Sequence, residues 1–240
     1  MIKNHHHDSL QEEKITLLNW NVHKNNHHYT WLRDFADILE KHRPNLVAFQ
    51  EYQKMSKRSV LDQNADFGYG FFPNIAYKQH MYGLLNAGKS KLCESEACLS
   101  GDVEPLFKTP KVSLLSKHQL FDGSALTLIN VHMINFVKIQ KYMAQMKQVE
   151  RLCEHNDGAL ILTGDFNTWS EKRMRILRSM IGGVGLESVA FYPEYHKKYL
   201  SKNPLDHIFY RGLKQHESSI LKDIKSSDHK PMLVSFEKLS

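Results

Sequence analysis

A chain of 240 residues, 41% hydrophobic and 24% charged, is globular and falls within the size of a single α/β domain, with no sign of a second. Its formal charge of +6 points to an anionic partner such as nucleic acid, a phosphorylated metabolite or a lipid headgroup surface, or else to a basic surface without such a role. Cys93, Cys98 and Cys153 are odd in number and lack a repeating spacing, which argues against a disulfide framework, and no apolar run approaches the length of a membrane span.

The opening MIKNHHHDSLQEEK carries no apolar signal region. Residues 1–14 read as a flexible polar start, residues 15–240 as one domain, and a cytoplasmic monomer is expected. KITLLNWNV (14 to 22) reads as a strand, and TWLRDFADILEKH (30 to 42) as a helix with Trp31, Phe35, Ile38 and Leu39 on one face. Pro44 stops that helix, and NLVAFQE (45 to 51) is the next strand. Two strands, FGYGFF and MYGLL, follow between 67 and 85. The segment 86 to 110, with Gly88, Gly101, Pro105 and Pro110, reads as a long polar loop holding Cys93 and Cys98.

Strands resume with KVSLLS (111 to 116) and ALTLINVH (125 to 132), divided by the turn Asp122-Gly123. The helix expected over 136 to 155 carries Phe136, Ile139, Tyr142, Met146, Val149 and Cys153 as a core stripe. ALILTG then runs into Gly164, Asp165, Phe166 and Asn167, and the basic helix EKRMRILRSM follows. LDHIFYRG (205 to 212), SSILKDI and KPMLVSFEK (230 to 238) read as closing strands.

Polar residues gather where these strands meet loops: Asn21, Glu51, His132, Asp165, Asn167, Asp206, Asp228 and His229. Each alone reads as a cap or turn residue. Together they are carboxylates, amides and imidazoles, and the oxygen donors among them are the hard ligands that Mg²⁺ or Mn²⁺ prefers.

The ordered set NWNVHK, PNLVAFQE, NVHM, GDFN, LDHIF and SDHKP, spread over about residues 15 to 236, resembles the endonuclease/exonuclease/phosphatase superfamily, the family of deoxyribonuclease I. The resemblance implies an α/β four-layer sandwich, two mixed β-sheets packed face to face with helices outside, and a site at one edge. It implies that Glu51 binds a divalent cation, Mg²⁺ or Mn²⁺, with Asn21 assisting and Asp228 nearby. It places Asp165 and Asn167 at the scissile phosphate, makes His229 a phosphate-contacting acid or base held by Asp206, and matches His132 to the family's second histidine.

That set matches the chemistry a phosphodiester demands: a cation on the non-bridging oxygens, a base for the attacking water, and stabilisation of the leaving oxygen. The expected activity is metal-dependent hydrolysis by in-line attack of water on nucleic acid. Lys172, Arg173, Arg175 and Arg178 beyond the GDFN motif are the candidate groove, or else a solvated helix face. A phosphomonoesterase or phospholipid-headgroup hydrolase on the same scaffold is the alternative, and a non-catalytic binding module a further one. Where relatives carry a serine after the strand at 82 to 85, this chain has Asn86.

Overall fold

Period-two alternation along the strands divides their side chains between two packed faces. Leu17, Leu46, Ala48, Leu126, Leu128, Ile161, Ile208, Met232 and Val234 meet in one buried cluster between the sheets, while Leu18, Trp20, Val47 and Phe49 face the opposite way. A computed structural model describes residues 1–55, 60–63, 66–104, 109–191 and 203–239. Its first half holds β1 (Ile2–Lys3), β2 (Ile15–Asn21), α1 (Tyr29–His42), β3 (Leu46–Met55), the short α2 (Val60–Gln63), β4 (Gly68–Tyr77), β5 (His80–Gly88) and β6 (Leu92–Val103). The second half holds β7 (Pro110–Gln119), β8 (Ala125–His132), α3 (Ile139–Glu154), β9 (Ala159–Asp165), α4 (Glu171–Gly183), β10 (Glu187–Ser188), β11 (Asp206–Arg211), β12 (Leu213–Ile220) and β13 (Met232–Lys238).

The strands form a seven-stranded sheet in the order β1-β4-β5-β3-β2-β13-β12 and a six-stranded sheet in the order β10-β11-β9-β8-β7-β6. Each is mixed: β2 and β3 run parallel, as do β8 and β9, and their other neighbours are antiparallel. Helix α1 covers the outer face of the first sheet through Trp31, Phe35 and Ile38. Helices α3 and α4 cover the second through Tyr142, Met146, Val149, Met174 and Leu177. The result is the expected four-layer sandwich. No helix of the described residues is long and apolar enough to cross a membrane.

Three expectations need correction. Residues 1–14 are tied down: β1 pairs with β4, Leu10 is fully buried between the sheets, and its backbone N–H donates to Gln119. One well-placed leucine and a two-residue ladder outweigh the polar composition around them. The polar segment after 86 is largely strand, because β6 pairs with β7 as the edge of the second sheet. Its Ser, Glu and Gly residues suit a strand with one wet face and hide the alternation; positions 105–108, including Pro105, lie outside the described residues. Helix α3 begins at Ile139, so Phe136 precedes it and is 61% exposed instead of joining the core stripe. Cys93 and Cys98 both lie on β6 and are free thiols.

Candidate active site

The inner-face positions change character at the strand ends. On β2 the inward series runs Leu17, Asn19, Asn21; on β8 it runs Leu128, Asn130, His132; on β9 it runs Ile161, Thr163, Asp165. Asp206 begins the inward series of β11, followed by Ile208 and Tyr210. In register, His132 stands beside Asp165 across β8 and β9, and Asp165 beside Asp206 across β9 and β11. The carboxyl ends of the parallel pairs and the starts of β11 and β13 therefore share one mouth between the sheets.

Glu51 reaches that mouth by breaking the alternation. With Val47 and Phe49 pointing outward, position 51 would face α1. The ladder shifts between Phe49 and Tyr52, and Glu51 takes the left-handed region at φ +52°. Such a bulge returns Tyr52 to the outer core and turns the carboxylate toward the site. Asn167 is also left-handed, at φ +50°. Gly164 is obligatory, at φ +138° with the Val131 carbonyl only 2.0 Å from where a Cβ would sit.

Asp165 is the centre of the cluster. Its Oδ2 accepts from Asn21 Nδ2 at 3.1 Å and lies 3.6 Å from His132 Nε2 and 3.8 Å from His229 Nε2. Its Oδ1 accepts from the backbone N–H of Asn167 at 2.9 Å. Burial pushes the Asp165 carboxyl up to about 6, opposed by His229 and reinforced by Asp206. Burial also holds the His132 imidazole well below its ordinary value, with Lys111 adding to the effect. The His229 Nδ1 and Asp206 Oδ2 are 2.7 Å apart, both side chains buried. Trp20 Nε1 donates to the His229 carbonyl and Ser227 Oγ to the Asn21 carbonyl, tying the loop before β13 to β2.

The donor set suits a hard divalent ion. Glu51 Oε1 is 3.9 Å from His132 Nε2, and its Oε2 lies 4.0 Å from His23 Nδ1 and 3.8 Å from Lys24 Nζ. Asp228, the outermost member, is exposed, with Oδ1 at 3.4 Å from His23 Nδ1. Among the described residues a second grouping is tighter: one ligand atom each from Asp165, Asp206 and His229 lie within 4.8 Å of one another, and Asp206 Oδ1 is buried with no hydrogen-bond partner. The short imidazole–carboxylate bond engages two members of that trio, while Glu51 and Asp228 offer further carboxylate oxygens at the mouth and Asn21 Oδ1 accepts from the His23 backbone N–H at 3.0 Å.

Sequence reasoning passed over the support beneath this cluster. Gln50 donates to Asn19 Oδ1 at 2.9 Å and Asn130 Oδ1 at 2.7 Å, and Asn130 donates to the Phe49 and Leu85 carbonyls. This buried polar layer cross-links the two sheets one step below the mouth. The asparagines were detectable as the same inward series that ends in Asn21 and His132. His23 and Lys24, next to Glu51, follow Asn21 in the same motif. Asn86 is buried between the sheets, donating to Ser116 Oγ and two carbonyls.

Arg173 must leave the proposed nucleic-acid groove. It is buried, donates to the Ile134 and Asn167 carbonyls, and stacks on Tyr142 and Trp169. Its guanidinium fixes the loop that carries Asn167. Lys172, Arg175 and Arg178 remain exposed on α4.

A family model described as Endonuclease/Exonuclease/phosphatase family matches residues 18–229. A UPF0294 protein of Vibrio vulnificus is 31% identical over 229 residues, covering 94% of this chain and 78% of the relative. Among solved structures, the human Nocturnin catalytic domain with bound sulfate anion gives a TM-score of 0.71 at 14% identity, covering 100% of this chain and 97% of that one. D. rerio TDP2 complexed with single strand DNA product gives 0.66 at 17% identity, covering 95% and 100%. The Bacteroides thetaiotaomicron mannosyl-6-phosphatase gives 0.67 at 14% identity, covering 92% and 99%. These structural likenesses show the fold.

Proposed function

Because the chain belongs to the endonuclease/exonuclease/phosphatase family, we propose that it is a divalent-metal-dependent phosphodiesterase that cleaves nucleic acid by in-line attack of water. The observation that carries this reading is the convergence of Asn21, His132 and His229 on one oxygen of a buried carboxylate, Asp165, with a second carboxylate holding His229 from behind.

Asp165 is the group placed to take a proton from water, since its Oδ2 faces the mouth and its Oδ1 is fixed by the Asn167 amide. Asn21 orients that carboxylate. His229, with Nδ1 engaged by Asp206, presents Nε2 to the phosphate. His132, kept neutral by burial, presents its own Nε2 from the opposite strand. Asn167, whose side chain is held by the Met133 carbonyl, closes the floor. A Mg²⁺ or Mn²⁺ ion held by Glu51, with Asn21 and Asp228 beside it, would neutralise the non-bridging oxygens and the leaving oxygen.

The net charge of +6 and the exposed Lys172, Arg175 and Arg178 favour a polyanionic substrate. A phosphomonoesterase is the competing reading, since one structural neighbour is named a mannosyl-6-phosphatase. The test is purified protein with Mg²⁺ or Mn²⁺ on single-stranded DNA, plasmid, RNA, sugar phosphates, inositol phosphates and sphingomyelin in parallel. Cleavage of nucleic acid that stops with chelator is expected. Turnover of monoesters alone, or full activity in excess chelator, would overturn the assignment.

A further inference from the structure

The two oxygens of Glu51 face different neighbours. Oε1 lies 3.9 Å from His132 Nε2, on the side where His132 and His229 converge on Asp165, and Oε2 lies 3.8 Å from Lys24 Nζ and 4.0 Å from His23 Nδ1. Lys24 therefore stands across the Glu51 carboxylate from His132, beside the reacting centre and outside it. Its ammonium also sits over the Tyr82 ring, 5.8 Å from the centroid, and Tyr82 is flanked in turn by His80, with ring centroids 6.4 Å apart.

The connection from β2 to α1 is fastened so that Lys24 stays there. His23 and Lys24 take left-handed backbone in succession, at φ +49° and +61°. The His23 N–H donates to Asn21 Oδ1 at 3.0 Å, the Lys24 N–H to the Glu51 carbonyl at 3.1 Å and the Asn25 N–H to the Val22 carbonyl at 2.9 Å, while Asn25 Nδ2 donates to the Ser226 carbonyl at 3.0 Å. Asn26 exchanges two bonds with the Gln53 backbone, at 2.7 and 2.8 Å, and Gln53 Nε2 lies 2.7 Å from His80 Nδ1. One network thus fixes both the lysine's backbone and the strand that carries Tyr82. The Lys24 side chain is 50% exposed, and its contacts with Glu51 and the Tyr82 ring are longer than hydrogen bonds, so its three donors are open to an anion arriving from solvent.

Resting on the nuclease reading above, we infer that Lys24 binds a second phosphate of the substrate, the one next to the scissile linkage, and that Tyr82 holds the ammonium in place for it. A cation beside the reacting centre, but across Glu51 from it, is matched by a chain that carries a charge at each linkage or at a phosphorylated end. A diester with a single phosphate leaves it unused. Such a contact positions the strand without reading its bases, so the mouth discriminates by the number of phosphates and not by the nucleobase.

The experiment compares three substrates on the full chain with Mg²⁺: dithymidine monophosphate, the same dinucleotide with a 5′-terminal phosphate, and the same with a 3′-terminal phosphate. One of the two terminal phosphates should raise kcat/KM for cleavage of the internal linkage by about 5- to 20-fold, chiefly through KM, which is less than a fully buried charged hydrogen bond gives because half of the lysine meets water. Lys24→Met should abolish that preference and Lys24→Arg should keep most of it. The preference is a ratio within one protein, so a change in folding or in metal affinity cancels. No preference in the unmodified chain, or a preference that survives in Lys24→Met, would overturn the inference; survival with equal losses on all three compounds would move Lys24 to the scissile phosphate. Release of the terminal phosphate in place of linkage cleavage, or no turnover at all, would instead sink the phosphodiesterase reading. Lys24 is then decided by displacement of a fluorescein-labelled single strand with the same three compounds: the terminal phosphate should tighten binding to the unmodified chain and not to Lys24→Met, and equal binding would overturn its role.

Discussion

Replacing Asp206 by Asn separates orientation from charge at the His229 pair. The carboxylate accepts from Nδ1 at 2.7 Å with both side chains buried, so the neutral ring carries its proton on Nδ1 and turns the bare Nε2 toward Asp165. An amide in the same place can donate to Nδ1 and drive the proton to Nε2, the wrong tautomer. A hydrogen bond to a charged partner contributes about 1.5–3 kcal/mol. Losing it only in the transition state lowers kcat/KM by about 10- to 150-fold, at roughly 1.36 kcal/mol per tenfold. Stability should not fall, because Asp206 is also one of the groups that push the Asp165 carboxyl up. Turnover of a small diester by Asp206→Asn, His229→Ala and the double variant is the assay. The double variant should match His229→Ala to within about 0.5 kcal/mol, since Asp206 acts through that ring. Additive losses, or Asp206→Asn with native turnover, would refute the orienting role.

Four further outcomes are expected. Glu51→Gln should reduce turnover by orders of magnitude and weaken Mg²⁺ binding in calorimetry while the melting temperature holds; unchanged metal affinity would move the ion to other ligands. Arg173→Met should lower stability by about 3 kcal/mol in denaturant titrations, because the Ile134 and Asn167 carbonyls lose their donor, and a variant as stable as the parent would return Arg173 to the surface. Neutralising Lys172, Arg175 and Arg178 together should flatten the salt dependence of single-strand binding by about 0.7 in logarithmic slope for each phosphate that no longer meets a cation, and an unchanged slope would make α4 a solvated face. His118, fully buried between Ser90 and Ser116, is held down at about 4 by burial. The folded state therefore resists its protonation. Stability present above pH 6.5 should decline by about 3 kcal/mol as pH falls to 4, and His118→Gln should remove that share of the decline in denaturation midpoints; equal declines would refute it.

Much of the site was legible because it lies on a simple period. Asn21, His132, Asp165 and Asp206 fall on the inward register of their strands, so the polarity change at each strand end marked them without knowledge of the partner strand. Helix α1 was equally plain, since Trp31, Phe35 and Ile38 recur at helical spacing against one sheet. The edge strand β6 was hidden because one face meets water, and the first ten residues because a single leucine decides their placement. Both are tertiary effects that composition averages away.

The remaining misreadings share a physical cause: a side chain's surroundings are set by what closes over it from a distant part of the chain. Arg173 belongs to a helix whose basic residues alternate with apolar ones, and its position on the inner helical face could be counted. What could not be counted is that Tyr142, from another helix, and the Asn167 carbonyl would wait there for a cation. Glu51 illustrates the converse. Strict alternation would send it outward with Phe49, and only a backbone that leaves the ordinary β region at that residue delivers it to the mouth. Strain of the same kind recurs at Asn167 and Phe136, one beside Asp165 and the other on the loop beyond His132. A core has no use for such conformations, and the fold tolerates them because the ladders and amide bonds on either side over-determine the path. Left-handed backbone also serves ordinary turns, at Arg43 after α1 and at Lys78 between β4 and β5, so it argues for chemistry only where, as at Glu51 and Asn167, it carries a carboxylate or an amide to the mouth.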